Sequence, residues 1–228
     1  MRFELDLHVH SRRSHDSLSR PKAIIRAAAR NRLDGLAVTD HGTIKGALEV
    51  RRFAAGEHIE IIIGEEVATD LGDIIGLFIE EEIRSRDAFE VIDLVHSQGG
   101  IAVLPHPFRG HRRVEELAAV ADLVETFNSR ASQSMNTGAA ELARTFSKPC
   151  VGGSDAHSVS EIGNCRTVVT GDDLRSAVAK GASEVSGRRT RPGTEAVSQA
   201  ISSMRRGELH RVPLHLGKAV LDRLGSRN

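Results

Sequence analysis

Short apolar runs recur along the chain, and most of them lead directly into a histidine or a carboxylate. Phe3-Glu4-Leu5-Asp6-Leu7 alternates apolar and polar residues, the period of two expected of a strand with one face in a core. Gly35 to Val38, Ile59 to Ile63, Ile101 to Leu104, Ala121 to Phe127, the run at Cys150-Val151 and Arg166 to Thr170 read as further strands. Helical spacing fills the intervals. Ser19-Arg20-Pro21 is a helix entry, and Ile24, Ile25, Ala28 and Ala29 give one apolar face up to Asn31. Further helices are expected at about Ile44 to Ala55, at Asp87 to Ser97, up to Val120, from Ser134 to Ser147, and from an Asp172-Asp173 cap to Ala179. Asp73 to Ile79, which follows the turn residues Thr69 to Gly72, is expected as an added strand. Strands alternating with helices predict an α/β fold with a mainly parallel sheet, whose strand carboxyl ends share one rim.

The chemistry is concentrated at that rim. His8 and His10 are two residues apart, so at a strand end both imidazoles face the same side. The second strand ends in Thr39-Asp40-His41, the third in Gly64-Glu65-Glu66, the fourth in Pro105-His106-Pro107, and the sixth in Gly153-Ser154-Asp155-Ala156-His157. Asp155 and His157 repeat the spacing of the opening pair. The prolines around His106 restrict the backbone and help to fix its ring. His96, in the last turn of a helix, suits the helix dipole, and His58 lies in a turn; both are expected to be structural.

Composition narrows the class. The chain of 228 residues suits one barrel-sized domain, and with seven Phe and no Trp or Tyr its core must be aliphatic. Two cysteines are too few for a disulfide framework, and neither a signal-peptide pattern nor a membrane-length apolar run stands out. A cytoplasmic protein without a membrane partner is expected. Net charge is zero, yet residues 188–228 hold nine Lys/Arg against three Asp/Glu, which leaves the body at −6 and this tail at +6. An acidic body suits cations, and a basic tail can attract an anionic substrate or form a solvated helical surface. Two tail helices are expected, at 194–206 and 216–224.

The motifs D-L-H-V-H-S, T-D-H-G-T, G-E-E-V, P-H-P and G-S-D-A-H, in that order over about residues 3 to 170, resemble the polymerase and histidinol phosphatase (PHP) domain family of metal-dependent phosphoesterases. The resemblance implies a distorted (β/α)7 TIM-like barrel with two or three divalent metals at the carboxyl rim. It implies His8, His10, His41, Glu66, His106, Asp155 and His157 as ligands, with a further one at His15 or Asp16. Asp16 is preferred there because a carboxylate can bridge two cations. Asp40 is expected to act beside the metals by fixing an imidazole tautomer. At the end of the fifth strand, where the family commonly carries His or Cys, Asn128 or Glu125 must stand in. Arg109, three residues after His106, and Arg130 are expected to grip phosphate.

So many ligands exceed one tetrahedral zinc and imply a di- or trinuclear site. Mixed N/O ligation without cysteine fits Mn, Zn or Fe. The expected function is hydrolysis of phosphate esters of small metabolites or nucleotides. The alternatives are a 5′/3′ nuclease acting on oligonucleotides, for which stacking aromatics are scarce, and a non-catalytic metal-stabilised scaffold.

Overall fold

The computed structural model describes residues 1–225, with side chains as far as Asp222. Nine strands form one sheet in the order β7-β6-β5-β4-β3-β2-β1-β8-β9. They are β1 (Arg2–Val9), β2 (Gly35–Val38), β3 (Glu60–Thr69), β4 (Gly72–Leu77), β5 (Ile101–Leu104), β6 (Leu123–Asn128), β7 (Cys150–Gly153), β8 (Cys165–Thr170) and β9 (Glu184–Gly187). The connecting helices are α1 (Pro21–Arg30), α2 (Lys45–Phe53), α3 (Ala88–Ser97), α4 (Val114–Val120), α5 (Gln133–Thr145) and α6 (Leu174–Ala179). Two more follow, α7 (Thr194–Arg205) and α8 (Val212–Gly225).

The sheet is a nearly closed barrel. β1, β2 and β3 run parallel, as do β5, β6 and β7, while β4 is antiparallel to both of its neighbours. At the upper end of the seam Val9 bridges to Ala156, and the Ser154 amide donates to Asp6 Oδ1. Below, β8 lies antiparallel to β1, and the Thr167 hydroxyl meets both backbone groups of Gly152 in β7. The expected distorted barrel is therefore present. Its added strand is β4, made possible by a tight hairpin at Asp70-Leu71. The last strand expected from sequence, β8, runs against its neighbours, and β9 beside it was not anticipated because Glu184-Val185-Ser186-Gly187 is short and half polar.

Side-chain alternation separates two cores. Ala37, Ile62, Ile75, Leu77, Ile101, Val103, Leu123 and Val151 fill the barrel, with Ala177 and Val178 of α6 joining them. Leu36, Val38, Ile61, Ile63 and Leu104 point outwards and pack with Ile24, Ala47, Val91 and Leu117 of the helices. The interior parity of Ile62 carries on through Gly64 to Glu66. In β1 a register irregularity between Asp6 and Val9 changes the parity, so that Leu5 and Leu7 fill the barrel below while His8 and His10 face inwards above. A second irregularity in β6, between Glu125 and Phe127, does the same for Glu125 and Asn128.

Gly153 is where this arrangement is tightest: a Cβ there would lie 2.3 Å from His8 Cβ and 2.4 Å from Glu125 Oε1. Gly153→Ala is expected to destabilise the fold by about 1–3 kcal/mol, as overpacking does. Gly217 in α8 has nothing within reach of an added Cβ. Gly217→Ala should be neutral or slightly stabilising. Urea denaturation of both variants checks the contrast.

Candidate metal centre

All ten side chains expected to hold metal lie at the carboxyl rim, nine of them with an imidazole or carboxylate to offer there, and most are buried. Glu66 is the hub. Its Oε2 lies 3.4 Å from His8 Nε2, 3.3 Å from His10 Nε2 and 3.2 Å from His41 Nδ1, while its Oε1 lies 3.1 Å from His106 Nε2. Asp155 is the second hub: Oδ1 is 3.7 Å from His8 Nε2, 3.4 Å from His10 Nε2 and 3.3 Å from His157 Nδ1. Asp16 Oδ2 approaches His157 Nε2 at 3.0 Å and His41 Nε2 at 3.4 Å. Of the two alternatives in that loop, Asp16 enters the cluster, whereas His15 sits on its edge, 38% exposed and 3.9 Å from Asp16.

Donor atoms gather in overlapping threes, each within 4.8 Å: His8/Glu66/His106, His8/His10/Asp155, His10/His41/His157 and His15/Asp16/His41. Any of these could hold a cation. The backbone is strained to present two of them, since His106 has φ 27° and Asp155 φ 51°. Such conformations cost about 1–3 kcal/mol each and persist only where surrounding contacts enforce them.

The second layer fixes tautomers. Asp40 is buried and touches no imidazole; it accepts from the Ser11 amide and hydroxyl at 2.7 and 2.6 Å and from the Ser14 hydroxyl at 2.8 Å. Ser14 Oγ, having donated to Asp40, accepts from His10 Nδ1 at 3.0 Å and from the His41 amide at 3.1 Å. The expected partnership of Asp40 with an imidazole is therefore relayed by Ser14, and Asp40 lies outside the cavity. Glu125 Oε1 accepts from His8 Nδ1 at 3.1 Å, and the Asp155 carbonyl accepts from His157 Nδ1 at 2.9 Å. In each of these three rings the acceptor beside Nδ1 keeps a proton there and leaves Nε2 as the atom facing the cluster.

Asn128 is the exception among the ten. Its Oδ1 accepts from the Arg130 and Ala131 amides at 2.9 and 3.2 Å, and its Nδ2 donates to Glu125 at 3.0 Å and Asp155 at 3.4 Å. It offers N–H groups, not oxygen, to the cluster; the reversed amide would set N–H against two backbone N–H groups. Arg130 also departs from expectation. Its guanidinium is buried, donating to both Glu161 oxygens and to Ser198 of α7 at 2.8 Å, so it binds the rim to that helix. Both arginines line the cavity, and Arg109 donates to Asp155 at 2.8 Å and to Glu195 of α7 at 3.0 Å.

The cavity, about 350 Å³, takes in residues that sequence reasoning missed. Asp73 lines it because β4 runs backwards and so begins at the rim, with the interior parity of Ile75 and Leu77. Glu195, Ser198 and Arg206 line it from the carboxyl-terminal segment. Glu65 stays outside, on the outward face of β3, where it accepts from the Ile83 amide and burial raises its pKa to about 7.

Electrostatics follow from crowding. Burial opposes charge on every group, but at Glu66 it is outweighed by His41 and His8, and at Asp155 by His8, His10, His157 and Arg109, so both carboxyls stay far below their usual range. Burial is likewise outweighed at His8 by Asp155, Glu125 and Glu66, which hold its pKa high, and at His41 by Glu66 and Asp16, which raise it to about 9. His10 is the opposite case. Burial, with His157 and His41 beside it, pushes its pKa down to about 3.

A barrel with a buried histidine–carboxylate cluster at its carboxyl rim is the architecture of a metal-dependent hydrolase. The PHP domain model matches residues 6–136 and a PHP-associated model residues 133–183, and the chain belongs to the PHP domain family. An uncharacterized protein of Methanocaldococcus jannaschii is 37% identical over 174 residues, covering 71% of this chain and 68% of that one. A solved two-domain protein of Bacteroides vulgatus, described as containing a predicted PHP-like metal-dependent phosphoesterase, superposes with a TM-score of 0.70 at 16% identity; the match covers 82% of this chain but 65% of that one. The lesion-specific endonuclease EndoQ of Pyrococcus furiosus shares the fold with a TM-score of 0.57 at 17% identity, over 84% of this chain and 58% of its own. Among the described residues no helix is long and apolar enough to cross a membrane.

The shifts set a pH dependence for metal-free protein. His8 and His41 bind protons more tightly when folded; their stabilisation is complete below the unfolded value of about 6.5 and is lost as pH rises through about 9 for His41. Glu66 and Asp155 bind protons less tightly when folded, so their contribution is complete above the unfolded carboxylate range and is lost as pH falls. His10, depressed to about 3, adds to the loss on the acid side. The Tm of chelated protein should therefore peak near neutrality and decline towards pH 9, and His41→Gln should flatten that alkaline decline. A Tm that rises steadily to pH 9 would contradict this account.

Proposed function

We propose that this protein is a metal-dependent phosphoesterase that hydrolyses phosphate esters of small metabolites or nucleotides, with residues 1–228 acting as one functional unit. The observation that carries the reading is His10 Nε2. It is buried, has no hydrogen-bond partner among the described residues, and lies 3.3 and 3.4 Å from Glu66 and Asp155 oxygens. A neutral imidazole lone pair facing two carboxylates is repulsive unless a cation lies between them. The residues present thus fit a metal cluster.

In this reading His8, His10, Glu66, His106, Asp155, His41, His157 and Asp16 hold two or three divalent ions, with His15 at the margin. Nitrogen and oxygen donors without thiolate suit Mn, Zn or Fe. Bound ions supply the Lewis acidity that ester hydrolysis needs. The chain's own residues do the rest. Ser14 and Glu125 fix imidazole tautomers, and Asp40 acts through Ser14. Asn128 orients Glu125 and Asp155 rather than binding metal, and Arg130 is a positioning residue. Arg109 exchanges one of its carboxylate partners for a phosphoryl oxygen. Oligonucleotide cleavage is the alternative; an endonuclease shares the fold, but no Phe lines the cavity to stack bases.

Elemental analysis of unchelated protein should find at least two divalent ions per chain, and both His106→Ala and Asp155→Ala should lower that number. A maximum of one ion that neither variant changes would overturn the multinuclear site. Arg109→Ala should raise the Michaelis constant by about 10- to 100-fold, the loss of one charge-assisted phosphate contact worth roughly 1.5–3 kcal/mol. An unchanged constant with a lowered Tm would make Arg109 structural instead. Assays with Mn and Zn on phosphomonoesters, phosphodiesters, nucleotides and short oligonucleotides separate the ester classes. Metal-loaded protein that turns over none of them would favour the scaffold.

A further inference from the structure

The cavity above the cluster has the histidine–carboxylate rim as its floor and the carboxyl-terminal segment as its roof. The roof comes from α7, a short turn at Leu209–Arg211 and the start of α8, and it lines the cavity with Ser198, Gln199, Ser202, Arg206, Arg211 and His215. Among the described residues every side chain lining the cavity, floor and roof alike, is polar or charged. Its volume, about 350 Å³, lies at the small end of the roughly 300–1,000 Å³ typical of ligand sites. A nucleobase buried there would find no apolar or aromatic face beyond the imidazoles. A hydroxyl-rich molecule would find donors and acceptors on all sides.

Arg206 is the cation of this roof without an acidic partner among the described residues, and Arg211 pairs only with Glu208, at 3.2 Å, where both groups are near solvent. The roof is also tied to the rim by hydrogen bonds. Arg109 joins Asp155 to Glu195, Arg130 joins Glu161 to Ser198, and Arg205 donates to the Arg12 and Ser14 carbonyls in the loop that carries Asp16. Arg109 on the floor and Arg206 on the roof thus both line one polar cavity.

Resting on the phosphoesterase reading, we propose that Arg206, assisted by Arg211, binds a second anionic group of the substrate. The preferred ester is then a small sugar or polyol phosphate that carries a further phosphate or carboxylate. The scissile phosphate lies at the floor, the hydroxyls meet Ser198, Gln199 and Ser202, and the second anion reaches the roof. Positive charge in the tail thus acts as a specificity element at one position rather than as a general attractant.

The test compares a sugar bisphosphate, the matching monophosphate, a phosphorylated sugar acid, a nucleoside monophosphate and a short oligonucleotide on metal-loaded full-length protein. Wild type should favour the two doubly anionic sugars over the monophosphate by at least about 10-fold in kcat/KM, the worth of one charge-assisted contact. Arg206→Ala should collapse that ratio chiefly through KM, Arg206→Lys should restore part of it, and the Tm should stay unchanged because the side chain is exposed. A wild type that turns over monoesters with no preference for a second anion, or an Arg206→Ala variant that loses activity equally on all substrates, overturns the inference and leaves the phosphoesterase reading standing. Faster turnover of the nucleotide or oligonucleotide overturns the substrate class. Absence of hydrolysis with every ester overturns the phosphoesterase reading, and this inference with it.

Discussion

Glu66 cannot sit where it does without positive charge around it. A buried carboxylate with four imidazoles within 3.4 Å, and a second carboxylate facing two of the same rings, costs several kcal/mol in desolvation unless the charges are compensated. Protons can serve in part, and the raised pKa values of His8 and His41 reflect that. They do not serve at His10, which keeps its Nε2 bare. Much of the barrel's local irregularity can be traced to this one requirement. The parity changes in β1 and β6, the left-handed backbone at His106 and Asp155, and the absence of a side chain at Gly153 each bring a donor group inward at the rim.

How much of this could be read from sequence depended on whether a feature is local. The spacing of His8 and His10, and of Asp155 and His157, carries its geometry with it, because alternation along an extended chain decides which residues share a side. Strand and helix positions were legible for the same reason: α3 starts beside Asp87, and the aspartate cap expected at Asp172-Asp173 is supplied to α6 by Asp173. β3 ran on past Gly64 to Thr69, since the glycine that suggested an end is instead a close approach to the Gly76 carbonyl. Asp73 became a rim residue only through the reversal of β4, a matter of pairing between segments that no periodicity reports.

The roles of Ser14, Asn128 and Arg130 were hidden in another way. Ser14 sits in a polar loop like many others, and its importance arises from a hydroxyl shared between Asp40, 26 residues further along the chain, and the His10 ring. Asn128 and Arg130 were placed correctly at the rim, yet which atoms they present is set by competition among partners. The free backbone amides after β6 claim the Asn128 oxygen, and Glu161 claims the Arg130 guanidinium. Residue type limits what a side chain can do, and the neighbours decide which of those things it does.

The uneven charge of the chain takes on meaning at this point. A −6 body gathers carboxylates around a site that must hold cations, and a +6 tail returns over that site with only a few of its charges facing the cavity. Had the tail been a diffuse attractor, its arginines would be expected to remain solvated and interchangeable. Instead Arg205 is tied to backbone carbonyls of the Asp16 loop, and Arg189 to the Ala131 carbonyl beside the end of β6. Those contacts hold the segment in register with the rim, so that the chemistry available at the floor and the molecules admitted beneath the roof are governed by different parts of one chain. Substitutions in the roof can then alter the cavity without disturbing the charge balance around Glu66.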